Sequence, residues 1–107
     1  MGVRQREDWW EYTKRIIRSY PALERKRKAE DTLTEKEQRR YDAVRSAIGE
    51  TERMPTGTQR LALVDLVYWK RSHTLFGAAM RIPISERTAQ KWNAQFIRMT
   101  EKYLDLP

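Results

Sequence analysis

Arg87, Gln90 and Lys91 place a guanidinium, a carboxamide and an ammonium within five residues, and Ser85, Glu86 and Thr88 add two hydroxyls and a carboxylate beside them. Ser85 has the residue type and position of a helix N-cap, so the groups that follow fall on the first turns of a helix. With Ala89 and Trp92 pointing inward, a rotation of about 100° per residue turns Glu86, Arg87, Gln90, Lys91, Ala94 and Arg98 outward. Guanidinium, amide and ammonium groups near a helix N-terminus are those that reach base edges and phosphates when a helix enters the major groove of duplex DNA. Ser85 is first a cap and second a phosphate ligand; Glu86 either favours the positive helix end or accepts from a cytosine amino group. Upstream, Lys70, Arg71, His73 and Thr74 carry groups suited to phosphate contacts, which set register without reading sequence.

Other chemistries find no foothold. The chain has no cysteine and a single histidine, His73, so disulfides, thiolate nucleophiles and any site needing two imidazoles are excluded. There is no Gly-rich phosphate loop and no nucleophile elbow. Glu35 and Glu37 stand two apart on an expected helix and face different directions, so they make no working acid pair. No enzymatic activity, metal or cofactor is expected.

The elements that must position the polar cluster are helical. The chain has 107 residues and a formal net charge of +7, with a sequence pI near 10.0, which suits a polyanionic partner without establishing one. Residues 1–53 hold 14 Lys/Arg against 11 Asp/Glu, and residues 54–107 hold 8 against 4. The contrast suggests two modules, 1–53 and 54–107, divided near Met54-Pro55-Thr56-Gly57. No apolar run approaches the roughly 20 residues of a membrane span, and the opening MGVRQRED lacks the apolar core of a secretion signal. The expectation is a cytoplasmic, all-α chain.

A first helix is expected over about residues 6–19, with Trp9, Thr13, Ile16, Ile17 and Tyr20 on a buried stripe. Pro21 should kink it or start another helix, and residues 22–31 could continue as a polar helix. The run Arg25–Lys28, flanked by Glu24, Glu30 and Asp31, reads as a solvated helix end. Thr34 and Glu37 form a capping-box pattern opening a helix over about 35–48, with Gly49 as its stop. These two helices make an αα-hairpin. Residues 57–71 form the most apolar helix and the centre of the C-terminal core. Thr74 caps a short helix over about 75–81, Pro83 interrupts it, and Ser85 opens the last helix, which runs to about Leu104 with Ala89, Trp92, Phe96, Met99 and Tyr103 on its apolar side. Two helices separated by three or four residues, the first of them short, describe a helix-turn-helix.

Residues 58–104 resemble region 4 of the bacterial primary sigma factors. The likeness lies in an apolar helix ending in Val67-Tyr68-Trp69, followed by Ala79-Met80-Arg81-Ile82-Pro83-Ile84-Ser85-Glu86-Arg87-Thr88-Ala89. Pro83 stands where that family usually has glycine. With its helical hairpin in front and Arg87-Thr88-Ala89-Gln90-Lys91-Trp92 in the last helix, the whole chain is also similar to the RinA/ArpU-like phage transcription regulators. That resemblance implies a phage or prophage activator of late genes and contact with host RNA polymerase.

The reading is a sequence-specific DNA-binding transcription regulator that acts on double-stranded DNA, with a homodimer expected because one such unit reads too few bases alone. Its rivals are a phage small terminase subunit and a helical protein–protein adaptor that captures a partner through the aromatics near Trp9 and Trp10.

Overall fold

The Thr34 hydroxyl accepts the amide of Glu37 at 3.1 Å, and the Glu37 carboxylate accepts the amide of Thr34 at 2.9 Å. This reciprocal cap, seen in a computed structural model of the chain, satisfies two backbone donors that no helical carbonyl can reach. The structure describes residues 2–105, with side chains from Trp9 to Asp105. The polar opening octet, read above for its lack of an apolar core, and the last two residues lie outside the side chains described.

The described residues are all-helical. They form α1 (Gly2–Lys28), α2 (Glu35–Glu52), α3 (Gly57–Val64), α4 (Leu75–Arg81) and α5 (Glu86–Tyr103), and α3 continues into a π-helical turn over Asp65–Trp69. No helix among them is long and apolar enough to cross a membrane.

Pro21 neither ends nor restarts a helix: α1 runs through it to Lys28. A proline inside a helix withholds the amide that would bond the carbonyl four residues earlier, here that of Ile17. Ile17 is fully buried, so water cannot replace the lost donor. The indole N–H of Trp69, 52 residues away, donates to that carbonyl at 3.0 Å. The Tyr20 ring lies 5.5 Å from Trp69 and 5.4 Å from Tyr41, extending the junction into an aromatic stack.

Gly49 does not stop α2, which continues to Glu52. Ile48 and Thr51 are buried on the same face as Tyr41, Val44 and Ala47, and the Thr51 hydroxyl donates to the Ala47 carbonyl at 2.8 Å. Packing on both sides of the glycine thus outweighs its weak helix propensity. Gly57 is different. A Cβ there would stand 2.4 Å from the Thr51 carbonyl oxygen, so only glycine permits the close turn from α2 into α3.

The turn at 65–69 departs from the plain helix expected over 57–71. Its wider winding, marked by the Lys70 amide donating to the Asp65 carbonyl at 2.7 Å, aims consecutive side chains at different targets. Leu66 packs beside Leu63, Ala78, Ala79, Ala89 and Trp92, a core beneath the short turn. Tyr68 enters the larger core with Ile16, Ile17, Val44, Ala47, Val64, Phe96 and Ile97. This larger core draws on α1, α2, α3 and α5, so the hydrophobic packing crosses the 53/54 division of the chain.

Trp69→Phe should lower stability by about 1–3 kcal/mol by leaving the Ile17 carbonyl buried without a donor, measurable by chemical denaturation. In that background Pro21→Ala restores an amide and should recover part of the loss; equal effects of Pro21→Ala in both backgrounds would dissociate the two residues. Gly49→Ala, whose new methyl meets only the end of the Arg53 side chain at 4.0 Å, an ordinary van der Waals contact, should raise stability by about 0.5–1 kcal/mol, readable as an increased Tm.

Candidate nucleic-acid interface

Two hydroxyl caps define the region. The Thr74 hydroxyl accepts the Gly77 amide at 3.1 Å and starts α4; the Ser85 hydroxyl accepts the Thr88 amide at 3.0 Å and starts α5. Between them Ala78 and Ala79 are buried, and their small side chains let α4 cross close to Ala89 and Trp92 of α5. The Ile84 amide donates to the Ala79 carbonyl at 2.9 Å, which closes the turn. Pro83 takes a φ of 27° there. A positive φ is one that glycine adopts freely, whereas the pyrrolidine ring ordinarily holds φ near about −65°.

α5 divides along its length. Ala89, Trp92, Phe96, Ile97 and Thr100 are buried, whereas Glu86, Arg87, Gln90 and Lys91 are exposed on its first two turns. None of these four side chains makes a hydrogen bond or ion pair among the described residues. Ser85 and Thr88 sit beside them, but their hydroxyls bond each other at 2.9 Å and serve the cap. The structure therefore brings six of the expected site residues onto one helix end.

Arg98 is separate from that group. It is exposed but lies about 18 Å along the axis from Glu86, at 1.5 Å per residue, in a groove lined by Glu50, Met54, Gln95, Met99 and Lys102. Lys70, Arg71, His73 and Thr74 occupy the segment leading into α4. Lys70 pairs with Asp65 at 3.2 Å, Arg71 is exposed with a φ of 54°, and His73 Nδ1 lies 2.8 Å from the Ser72 hydroxyl. Tyr103, expected on the apolar side of the last helix, faces outward instead; Leu104, the C-cap residue, turns into the core in its place.

Periodicity in the sequence does not disclose what holds α5. The Arg60 guanidinium donates to Thr56 Oγ1 at 2.8 Å and to Gln95 Oε1 at 2.7 Å, and lies 5.1 Å from the centre of the Trp92 ring. The Tyr68 hydroxyl donates to Asn93 Oδ1, and Lys102 pairs with Glu50 at 3.2 Å. In the sequence Arg60 is one of the few charges on an apolar helix, and nothing local marks its partners 32 and 35 residues away. α4 also leaves Phe76 and Met80 exposed. Among the described residues no group of three His, Cys, Asp or Glu could hold a metal ion.

Comparison of the chain with protein-family models, with curated proteins and with solved structures finds no match.

Burial pushes the Tyr68 phenol up to about 12, whereas in an unfolded chain it titrates near 10. The neutral phenol is favoured in the fold, so its contribution is complete below about pH 10 and is lost as pH rises towards about 12. Burial raises Tyr20 and Tyr41 as well, so the informative comparison is with a variant. Denaturant midpoints followed across this window should fall less steeply for Tyr68→Phe than for the parent; parallel curves would exclude Tyr68 as a source of the alkaline sensitivity.

Proposed function

We propose that this chain is a sequence-specific regulator of transcription that binds double-stranded DNA through the N-terminal turns of α5. The observation that carries the reading is the uncommitted state of Arg87, Gln90 and Lys91, exposed on a capped helix whose other face is buried. Arg87 has the fork geometry that pairs with guanine, Gln90 the amide that pairs with adenine, and Lys91 the point charge that suits a phosphate. The excess of basic residues draws the chain to DNA by releasing counterions, and contacts from Arg71, His73 and Thr74 set its register on the backbone.

The likeness to sigma factor region 4 and to the RinA/ArpU-like regulators extends the proposal. On that basis the chain activates phage or prophage late genes, touches host RNA polymerase and works in the bacterial cytoplasm. A single helix-turn-helix reads few base pairs, so a homodimer on two half-sites supplies the remaining specificity.

Selection of bound sequences from random duplexes at about 0.15 M salt, where non-specific attraction is already weakened, should enrich one motif. On that motif Arg87→Ala or Gln90→Ala should each reduce preference over random DNA by about 1–3 kcal/mol, with little change in thermal unfolding. Equal loss on both DNAs would remove these residues from sequence reading. An assembly of eight or more subunits by light scattering would favour the packaging protein, and absence of any DNA shift at low salt would favour the adaptor.

A further inference from the structure

On the face formed by α1 and α2, a recess of about 200 Å³ is lined by Tyr12, Arg15, Ile16, Ser19 and Arg40. Residues 12, 15, 16 and 19 share one side of α1, and Arg40 reaches across from α2 with its guanidinium carbon 5.9 Å from the centre of the Tyr12 ring. Arg40 Nε is buried and has no hydrogen-bond partner among the described residues. A buried N–H on a charged group loses its water without recovering a bond, an arrangement that natural structures seldom leave unfilled.

Among the described residues the neighbouring acids do not fill it. Glu11 pairs with Lys14 at 3.5 Å, and Glu37 holds both Lys26 and its own capping amide. No described carboxylate forms an ion pair with Arg15 or Arg40. The Ser19 proton is engaged by the Ile16 carbonyl at 2.6 Å. The recess therefore presents two guanidinium groups against an apolar wall of Tyr12 and Ile16. Elsewhere on the same two helices Lys28 pairs with Glu24 and Arg45 with Glu52, and cations without an ion pair among the described residues, such as Arg25, Lys36 and Arg39, are exposed to water.

We propose that this recess binds a carboxylate side chain presented by a partner polypeptide. The arginine fork fits carboxylate and phosphate alike, so shape decides between them. A DNA duplex is convex and is met by protruding cations, whereas the Arg40 Nε is buried in a recess of about 200 Å³ between two helices. Tyr12 and Ile16 provide for the methylenes of a glutamate. None of the residues lining the recess belongs to the set assigned to DNA, so the site stands or falls apart from the DNA reading.

The test follows the arginine Nε–Hε resonances of the full chain by NMR while adding a blocked Ala-Ala-Glu-Ala-Ala peptide, its glutamine counterpart, inorganic phosphate or a random DNA duplex. The Arg40 signal should shift saturably with the glutamate peptide, at least tenfold more weakly with the glutamine peptide, and less with phosphate or duplex at equal concentration. Arg15→Gln, on the exposed side of the recess, should weaken the glutamate response at least tenfold while leaving the Arg40 signal observable; Arg40→Gln should abolish binding at unchanged helicity. No saturable shift, equal response to the two peptides, or a stronger response to phosphate or duplex would each overturn the proposal, the last by assigning the recess to phosphate.

Discussion

The hydrogen bond from the Trp69 indole to the Ile17 carbonyl is the constraint around which the molecule is arranged. Pro21 withdraws a donor from the middle of a long helix, in a place where the orphaned carbonyl is sealed from water. A buried carbonyl needs a partner, and in α1 itself none is available. The partner arrives from the end of the π-helical turn, which places Trp69 at α1, Tyr68 in the main core and Leu66 beneath the short turn before α5. One missing amide in the first helix is thereby tied to the geometry of the segment that supports α4 and α5.

The same economy governs α5. Its C-terminal two-thirds is anchored by Trp92, Phe96 and Ile97, each worth about 1.5–3 kcal/mol in buried apolar surface, whereas the exposed Lys102–Glu50 pair adds little. Arg60, Tyr68 and their partners Gln95 and Asn93 fix the helix about its axis. Glu86, Arg87, Gln90 and Lys91 are left outside this network, on a helix whose orientation is already set. A polar surface held on a rigid support loses little freedom on binding, and on that arrangement the proposed reading of DNA depends.

The α1–α2 face follows different rules along its length. The basic run Arg25–Lys28 lies in the last turn of α1, where cations favour the negative helix end. Lys26 is matched by Glu37, and Arg27 lies 5.3 Å from the centre of the Tyr41 ring. These residues are a solvated helix end, as their acidic flanks suggest. Arg15 and Arg40, which look no different in the sequence, line one recess and form no ion pair among the described residues.

Thr34, Thr74 and Ser85 start helices where the sequence predicts, because a cap is a bond between groups three residues apart and needs nothing distant. The stripes through Ile16, Ile17, Val44, Ala47, Ala89, Trp92 and Phe96 were legible for the same reason: helical periodicity is a local property. So was the polar flank of Glu86, Arg87, Gln90 and Lys91. What happened at Pro21, Gly49 and Tyr103 was decided elsewhere in the molecule, by an indole from another segment, by burial of Thr51, and by Leu104 entering the core ahead of its neighbour. The winding of residues 65–69, the partners of Arg60 and the placement of Arg15 and Arg40 in one recess likewise depend on side chains brought together only when the helices pack. Local bonds choose where helices begin; whether a proline or glycine ends one depends on what the rest of the chain offers the backbone it disturbs.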